Sequence, residues 1–422
     1  MPRMRRVLCA FILTAATAVA QSTDASDKET IQMLVKEVKE LKAKVEALEA
    51  KQGGTEAGAP ANPPTAKAEA TPQTAVPTFL QEAHEVHGIQ WRGFGEVNYK
   101  VLDQRQPEFG QLFGFVPGSA GNFSVGDFDL LLTSRISDKA SVLSEVVIGE
   151  GDAQSFDVDL ERVLFKYDYN DHLRMSLGRY HTGIGYYNTE FHTGRWLQTT
   201  ADRPLIMEFA DDGGLLPTQA VGVSVTGEIP SHGLGLNYTA EYGSSDTIRP
   251  DINEEGAEDD ENNGNHINIG AFIRPDKFPG LQIGGSFYHD RISDFDKGPS
   301  VRLGQSIVNA HVVYNGHGFE FLNEGFLIRH AYEDSPVVYN MPAFYSLISK
   351  RLGPHWRPFF RYQYINANQN SIFSDVQLRY GPSFGSRYDF NDNVAFKLQL
   401  DHTWRRGLPD LNGLQTQLAF TF

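Results

Sequence analysis

The segments LRMSLGRY (173–180) and QAVGVSVTGEI (219–229) alternate between apolar and polar residues, which is the pattern of half-buried β-strands. Between them lies HTGIGYYNTEFHTGRWLQTTADRPLIMEFADDGGLL (181–216), which has no sustained helical or alternating pattern. Connections this much longer than the usual two to five residues are generally functional or disordered. Disorder is not expected here, because the connection carries many large apolar side chains: Tyr186, Tyr187, Phe191, Trp196, Leu205, Ile206, Met207 and Phe209. The sequence therefore predicts a long, folded loop between two strands.

Residues 1–20 have the features of an export signal. Arg3, Arg5 and Arg6 precede the apolar run VLCAFILTAATAVA, which ends in the small-residue cleavage pattern Ala18-Val19-Ala20. Cys9 is the single cysteine and lies inside the signal, so the mature chain is expected to have neither disulfides nor thiol chemistry. Loss of the three arginines makes the formal net charge of −16 still more negative.

Residues 21–51 are predicted to form a periplasmic coiled-coil helix. Apolar residues recur there at spacings of three and four and form one seam: Ile31, Leu34, Val38, Leu41, Val45 and Leu48. The pairs Glu37–Lys42 and Lys44–Glu49 are complementary between parallel chains. A lone amphipathic helix packed on the domain is the alternative. The Gly-, Ala- and Pro-rich residues 52–86 then read as a linker, and residues 87–422 as one β-domain.

The β-domain divides into about 16 alternating segments of ten or so residues, such as FDVDLERVLF, LGLNYTAEY and VAFKLQLDHTW. Every second connection is tight, as at Asn170-Asp171 and Asn391-Asp392, whereas the intervening connections are often long, as at 101–121, 181–216 and 244–263. Short turns at one end and long loops at the other are typical of outer-membrane barrels. We therefore predict an all-β fold, a 16-stranded antiparallel transmembrane β-barrel in which the loop 181–216 folds inward as a constriction.

The chain resembles 16-stranded porins of Gram-negative outer membranes. Its last strand ends Leu418-Ala419-Phe420-Thr421-Phe422, which is similar to the C-terminal signature of outer-membrane proteins. The block GRYHTGIGYYNTEFHTGRWLQTTADRP (178–204) resembles porin-like proteins with a leading coiled coil, including the phosphate-selective porins O and P and dicarboxylate-type porins. This resemblance implies a homotrimer, whereas the heptad residues alone favour a dimer. The lysine-rich constriction of phosphate porins is not matched, because 181–216 contains no lysine.

Two sets of charged residues are predicted to face each other inside the barrel. The constriction loop supplies Tyr186, Glu190, Arg195, Asp202, Arg203, Glu208, Asp211 and Asp212. Strands predicted at 355–365, 371–389 and 393–405 supply a basic lumen wall of Arg357, Arg361, Arg379, Arg387, Lys397 and Arg405, if Val376 and Leu378 point to lipid. Two interpretations of this wall remain open. It gives the channel a preference for anions such as carboxylates or phosphate, or it is the ordinary arginine ladder of a general porin, which only orients solutes.

No catalytic, cofactor or metal site is predicted. His181 and His192 near Glu190 match no standard metal-ligand spacing, and no Ser/His/Asp arrangement stands out. The acidic run 251–261 is either a solvated loop or a patch where divalent cations bridge to lipopolysaccharide.

The sequence thus predicts a passive outer-membrane porin for small hydrophilic solutes, with its N-terminus in the periplasm. Its expected partners are membrane lipid, lipopolysaccharide and two further copies of the chain, and no nucleic acid. The alternative is a structural barrel that tethers the outer membrane to peptidoglycan through the coiled coil.

Overall fold

The structure is a computed structural model, and it describes residues 84–86, 88–103, 121–150, 156–207, 215–245, 265–293, 301–374 and 376–422. The predicted signal peptide, the coiled-coil seam, most of the linker and the acidic run 251–261 lie outside the described residues. Among the described residues, no helix is both long enough and apolar enough to cross a membrane.

The described chain forms one antiparallel sheet that closes on itself. Its strands are β1 (His84–Val86), β2 (Ile89–Leu102), β3 (Asn122–Arg135), β4 (Ala140–Glu150), β5 (Phe156–Asn170), β6 (Leu173–His181), β7 (Gln219–Ile229), β8 (Leu236–Ser245), β9 (His266–Ile273), β10 (Leu281–Ser293), β11 (Arg302–Gly316), β12 (Phe319–Tyr332), β13 (Val338–Lys350), β14 (Trp356–Asn366), β15 (Leu378–Asp389), β16 (Val394–Arg405) and β17 (Leu411–Thr421). Each of β2 to β17 pairs with its sequence neighbours, and β17 pairs with β2. The prediction of a closed 16-stranded barrel is therefore confirmed, with β1 as a short additional strand hydrogen-bonded to β2.

Alternation along the strands separates the inside of the barrel from the outside. In β12, Leu322, Phe326 and Ile328 are buried, whereas their sequence neighbours Phe321 and Leu327 are exposed. Side chains of successive strand residues point to opposite faces, so one set lines the interior and the other forms an apolar outer surface. The outer surface of β14 to β17 is equally apolar, with Phe360, Phe384, Phe396, Leu398, Leu400 and Leu418 exposed.

The two ends of the barrel differ in the length of their connections. At one end, which we call the short-turn end, β11 and β12 are joined by only His317 and Gly318. Both residues have positive φ, 54° and 74°, which is the backbone twist that a two-residue hairpin requires. At the opposite end, the long-loop end, residues 182–218 connect β6 to β7.

Aromatic side chains form a row at each end of β14 to β16. At the short-turn end, Trp356, Tyr388 and Phe390 are in contact, with ring centroids 4.8 and 5.1 Å apart. At the long-loop end, Tyr364, Tyr380 and Trp404 follow one another at 6.5 and 5.1 Å. Trp356 and Tyr364 are eight residues apart on β14, which is roughly 26 Å along a strand. Two such rows match the interfacial girdles of membrane barrels.

One predicted strand began too early. The spacing of Val376, Leu378 and Tyr380 predicts a strand over 371–389 with all three facing lipid, but β15 begins only at Leu378. Val376 is buried together with Ile372 and Phe373 in a turn-rich connection. All three side chains belong to the same buried cluster as inward-facing residues of β10 to β14, so the connection packs inward instead of facing lipid.

Candidate functional site: the constriction loop

The described parts of the long connection, residues 182–207 and 215–218, fold into the barrel, as the sequence predicts for this loop. It contains the short helix α1 (Tyr186–Phe191) and two 3-10 turns, Arg195–Leu197 and Leu205–Met207. Its atoms contact inward-facing side chains on β5, β8, β12, β14, β16 and β17. A loop outside the barrel could not reach strands on opposite sides, so these contacts place it across the lumen.

The middle of the loop is held by its backbone carbonyls. Lys397 Nζ donates to the carbonyls of Arg195 and Thr200 at 2.6 and 3.1 Å. Arg387 Nη1 donates to the carbonyls of Trp196 and Gln198 at 2.5 and 3.0 Å. Strand register places Arg387 beside Lys397 on the adjacent strand, so the two cations bind neighbouring parts of the same loop segment. Hydrogen bonds from charged donors are roughly twice as strong as neutral ones.

Asp202 is the side chain through which the loop binds the same wall. Its Oδ1 accepts from Arg361 Nη2 at 2.6 Å and from Gln399 Nε2 at 2.6 Å, and its Oδ2 accepts from Gln415 Nε2 at 3.1 Å. Arg361 also donates to the backbone carbonyl of Asp202 at 3.0 Å. Burial raises the pKa of the Asp202 carboxyl, but Arg361, Lys100 and the donated hydrogen bonds outweigh burial and lower that pKa below its usual range.

The predicted basic wall therefore faces the interior, but its partners differ from those expected. Arg361 and Lys397 are 0% exposed, so they do not form a charged surface along open water. Their N–H groups donate hydrogen bonds to the loop, because a buried cation must be paired or hydrogen-bonded. Arg357 is half-buried and lies 3.3 Å from the Thr199 hydroxyl. Arg379 and Arg405 lie at the long-loop end and donate to the carbonyls of Val376 and Pro409.

Carboxylates on the opposite strands hold the beginning of the loop, and the sequence analysis missed them. Glu324 on β12 accepts from the amides of Tyr186 and Tyr187 at 2.5 and 3.0 Å, at the first turn of α1. Glu241 on β8 accepts from the Gly183 amide at 2.9 Å. Both carboxylates are buried. The available sequence signal was an acidic residue that alternation places on the inward face of its strand, Glu241 in LNYTAEYGSS and Glu324 in FEFLNEGFLIRHAY.

Apolar side chains of the loop fill part of the lumen. Six of them are buried in one cluster with inward-facing residues of β10 to β14: Ile184, Tyr187, Ile206, Met207, Leu215 and Leu216. The Tyr187 ring lies edge-on to Tyr345, with centroids 6.0 Å apart. Burial of each large apolar side chain contributes roughly 1.5–3 kcal/mol. One side of the described barrel interior is therefore a packed core.

A cavity of about 200 Å³ remains between the loop and β6 to β11. It lies toward the short-turn end, since Arg174 and Arg274 in its wall adjoin short turns. Tyr186 and Glu190 of α1 also line it. The Arg274 guanidinium lies 3.5 Å from Glu190 Oε1, and both side chains are partly exposed. Glu190 thus faces Arg274, on the side of the lumen opposite the basic wall where it was expected.

The remaining predicted loop residues occupy other positions. Arg195 Nε lies 4.0 Å from Asp127 Oδ2. Arg203 is buried and donates to the His192 carbonyl at 3.1 Å. Glu208, Asp211 and Asp212 lie outside the described residues. His181 and His192 come together with Glu161 on β5 instead of with Glu190.

Comparison with known proteins gives the fold a class. No family model and no curated protein matches the chain. Solved structures do: a loop-deletion form of OmpT, an outer membrane protein of Vibrio cholerae, is 11% identical with a TM-score of 0.53, over 79% of this chain and 99% of that one. An anion-selective porin from Comamonas acidovorans is 10% identical with a TM-score of 0.52, over 79% and 99% of the two chains. The outer membrane channel DcaP of Acinetobacter baumannii is 9% identical with a TM-score of 0.51, over 79% and 97%.

The molecule thus has the fold of outer-membrane porins and channels. At such low identity the likeness concerns the fold alone, and it does not identify a solute.

Proposed function

We propose that the chain is a passive outer-membrane porin that admits small hydrophilic solutes past the constriction loop. The observation that carries this proposal is the inward loop, which is fixed to the wall near its start and in its middle and leaves a narrow cavity beside it. Diffusion through such a passage needs neither an energy source nor a catalytic residue. The exposed apolar surface between the aromatic rows supports residence in a membrane.

We further propose a mild preference for anions, carried by residues other than those the sequence analysis favoured. Arg174 and Arg274 both line the cavity, where Glu190 is the acidic partner of Arg274. Arg361 and Lys397 are buried against the loop, and they affect solute mainly because they fix the position of the loop. In a narrow passage of low dielectric, a few charges bias which ions enter. The barrel of the anion-selective Comamonas porin is of the same fold.

The proposed assembly is a homotrimer with the N-terminal segment in the periplasm. One form of the similar Vibrio cholerae OmpT is described as a trimer. Contacts with lipid, lipopolysaccharide and peptidoglycan are part of the same proposal.

Single-channel recording of the full chain in a planar bilayer tests the function. We expect stable steps of conductance that occur in groups of three, and liposome swelling with small carboxylates and sugars that declines as solute size rises. A silent bilayer, with correctly folded protein, would instead favour the structural tether. Substrate-dependent product formation in the same liposomes would contradict a purely passive role.

A further inference from the structure

Three potential metal ligands from three different parts of the chain meet where the loop joins the wall. They are Glu161 on β5, His181 at the end of β6, and His192, which directly follows α1. His192 Nε2 lies 2.6 Å and His181 Nε2 3.0 Å from the same oxygen, Glu161 Oε1. One atom from each of the three residues lies within 4.8 Å of the other two. The cluster has no part in the channel function proposed above.

A supporting hydrogen bond fixes which nitrogen His192 offers. The Asn188 side-chain amide donates to the carbonyls of Thr182 and Thr218 at 2.8 and 2.9 Å, which sets its orientation. Its oxygen therefore faces His192 Nδ1 at 2.8 Å and must accept a hydrogen bond from it. Nδ1 carries the proton, and Nε2 is directed at Glu161. Metal-binding histidines are usually oriented in this way by a partner on the other ring nitrogen.

The surroundings are buried and rich in carboxylates. The side chain of Glu161 is 4% exposed, and those of His181 and His192 are each 6% exposed. Glu145 on β4 is 0% exposed, with its Oε2 3.9 Å from His181 Nε2. That oxygen also accepts a hydrogen bond from Arg162. Asp129 on the neighbouring strand is buried as well. A bound divalent cation would balance these buried charges, which are costly when unpaired.

A metal-free arrangement with a protonated histidine is the competing explanation of the same geometry. In it, His192 is an imidazolium, because Nδ1 already carries a proton, and His181 donates to Glu161 as the neutral Nε2–H tautomer. The two imidazole rings have centroids only 4.0 Å apart. A metal cation shared by two neutral imidazoles and a carboxylate satisfies the same three groups, and zinc binding distinguishes the two arrangements.

We propose that Glu161, His181 and His192 bind a divalent transition-metal ion, with Zn²⁺ as the favoured occupant. Two imidazole nitrogens and a carboxylate oxygen are a donor set that zinc accepts, with Glu145 or water as the fourth ligand. Zinc bonds of about 2.0–2.1 Å at tetrahedral angles place ligand atoms about 3.3 Å apart. The present distances of 2.6 and 3.0 Å would have to widen by roughly 0.3–0.7 Å, through small rotations of the side chains. The bound ion would join the loop to β5 and β6.

The test measures zinc binding by the full chain, purified without a histidine tag and stripped with a chelator. Because the ligands are nearly buried, ZnCl₂ is added both during refolding and to the folded protein before calorimetry. We expect one ion per chain and binding at least about tenfold weaker in His181→Gln and in His192→Gln. The matched control is His330→Gln, a buried histidine that hydrogen-bonds to Gln305 on the neighbouring strand. This control is expected to bind zinc like the wild type.

A second measurement needs no variant. X-ray absorption of the zinc-loaded wild-type chain should show two imidazole ligands and one or two oxygen ligands. Three results would each overturn the proposal. They are absence of saturable zinc binding, an absorption spectrum without imidazole ligands, and equal zinc affinity in all variants whose folding is verified by heat modifiability on gels. Any of these results would leave the protonated-histidine explanation in place. The outcome is independent of conductance, so a silent bilayer does not decide it.

Discussion

The contact between Arg361 and Asp202 allows the anchoring of the loop to be measured. In Arg361→Gln, Asp202 loses a charge-assisted hydrogen bond at 2.6 Å, and its backbone carbonyl loses another donor at 3.0 Å. Breaking a buried ion pair by removing one partner costs roughly 3–5 kcal/mol. Asp202 keeps its hydrogen bonds to Gln399 and Gln415, so we expect the lower end, about 3 kcal/mol. Each 1.4 kcal/mol is a factor of ten, so the released loop becomes about 100-fold more populated.

The assay combines single-channel recording with denaturant unfolding in detergent. Arg361→Gln should add current noise and short openings to higher conductance, and it should shift the reversal potential in a salt gradient toward cations, because Asp202 is left uncompensated. Arg361→Gln/Asp202→Asn removes both charges, so the reversal potential should return toward that of the wild type. Its loss of stability should be smaller than the sum of the two single losses. Lys139→Gln, at an exposed turn, is the control and should change neither quantity. Additive losses in the double variant would refute the reasoning.

Four further predictions concern other parts of the chain. Arg274→Gln should move the reversal potential toward cations and Glu190→Gln toward anions, and unchanged potentials in both would place the solute path elsewhere. Burial raises the pKa of the Glu190 carboxyl while Arg274 opposes the shift, so this carboxyl loses its charge at a higher pH than an ordinary glutamate. Selectivity for anions should therefore increase as the pH falls. Glu190→Gln should lose this pH dependence. Replacement of 186–211 by a short Gly-Ser turn should raise conductance and admit larger sugars, whereas an unaltered size limit would show that another segment sets it. Deletion of 28–52 should lower the temperature at which oligomers dissociate on gels, and an identical temperature would exclude a role for the predicted coiled coil.

The strands could be predicted because the barrel imposes a simple rule on them. Each strand separates an apolar exterior from the interior, so residues of β12 such as Phe321 and Leu322 alternate between exposed and buried. The same rule failed just before β15, since Val376 keeps the two-residue spacing of Leu378 and Tyr380 but lies in a turn-rich connection that packs inward. Alternation reports the spacing of apolar residues, and a turn-rich segment that packs inward can have the same spacing.

The site was less predictable, because alternation gives the face of a residue but not its partner. Arg387 and Lys397 were correctly expected to point inward, yet they bind backbone carbonyls, which every residue has and no sequence pattern marks. The meeting of Glu161 with His192 depends on how α1 directs the chain across the lumen. No spacing along the sequence expresses such a contact.

The attachment of the loop through its backbone has a consequence for how the pore can change. Lys397 and Arg387 bind the carbonyls of residues 195–200, while the side chains of Arg195 and Leu197 are partly exposed. Substitution of these two side chains removes none of those anchoring hydrogen bonds. Evolution or engineering can therefore change the chemistry of the loop surface at these positions while the path of the loop stays constant.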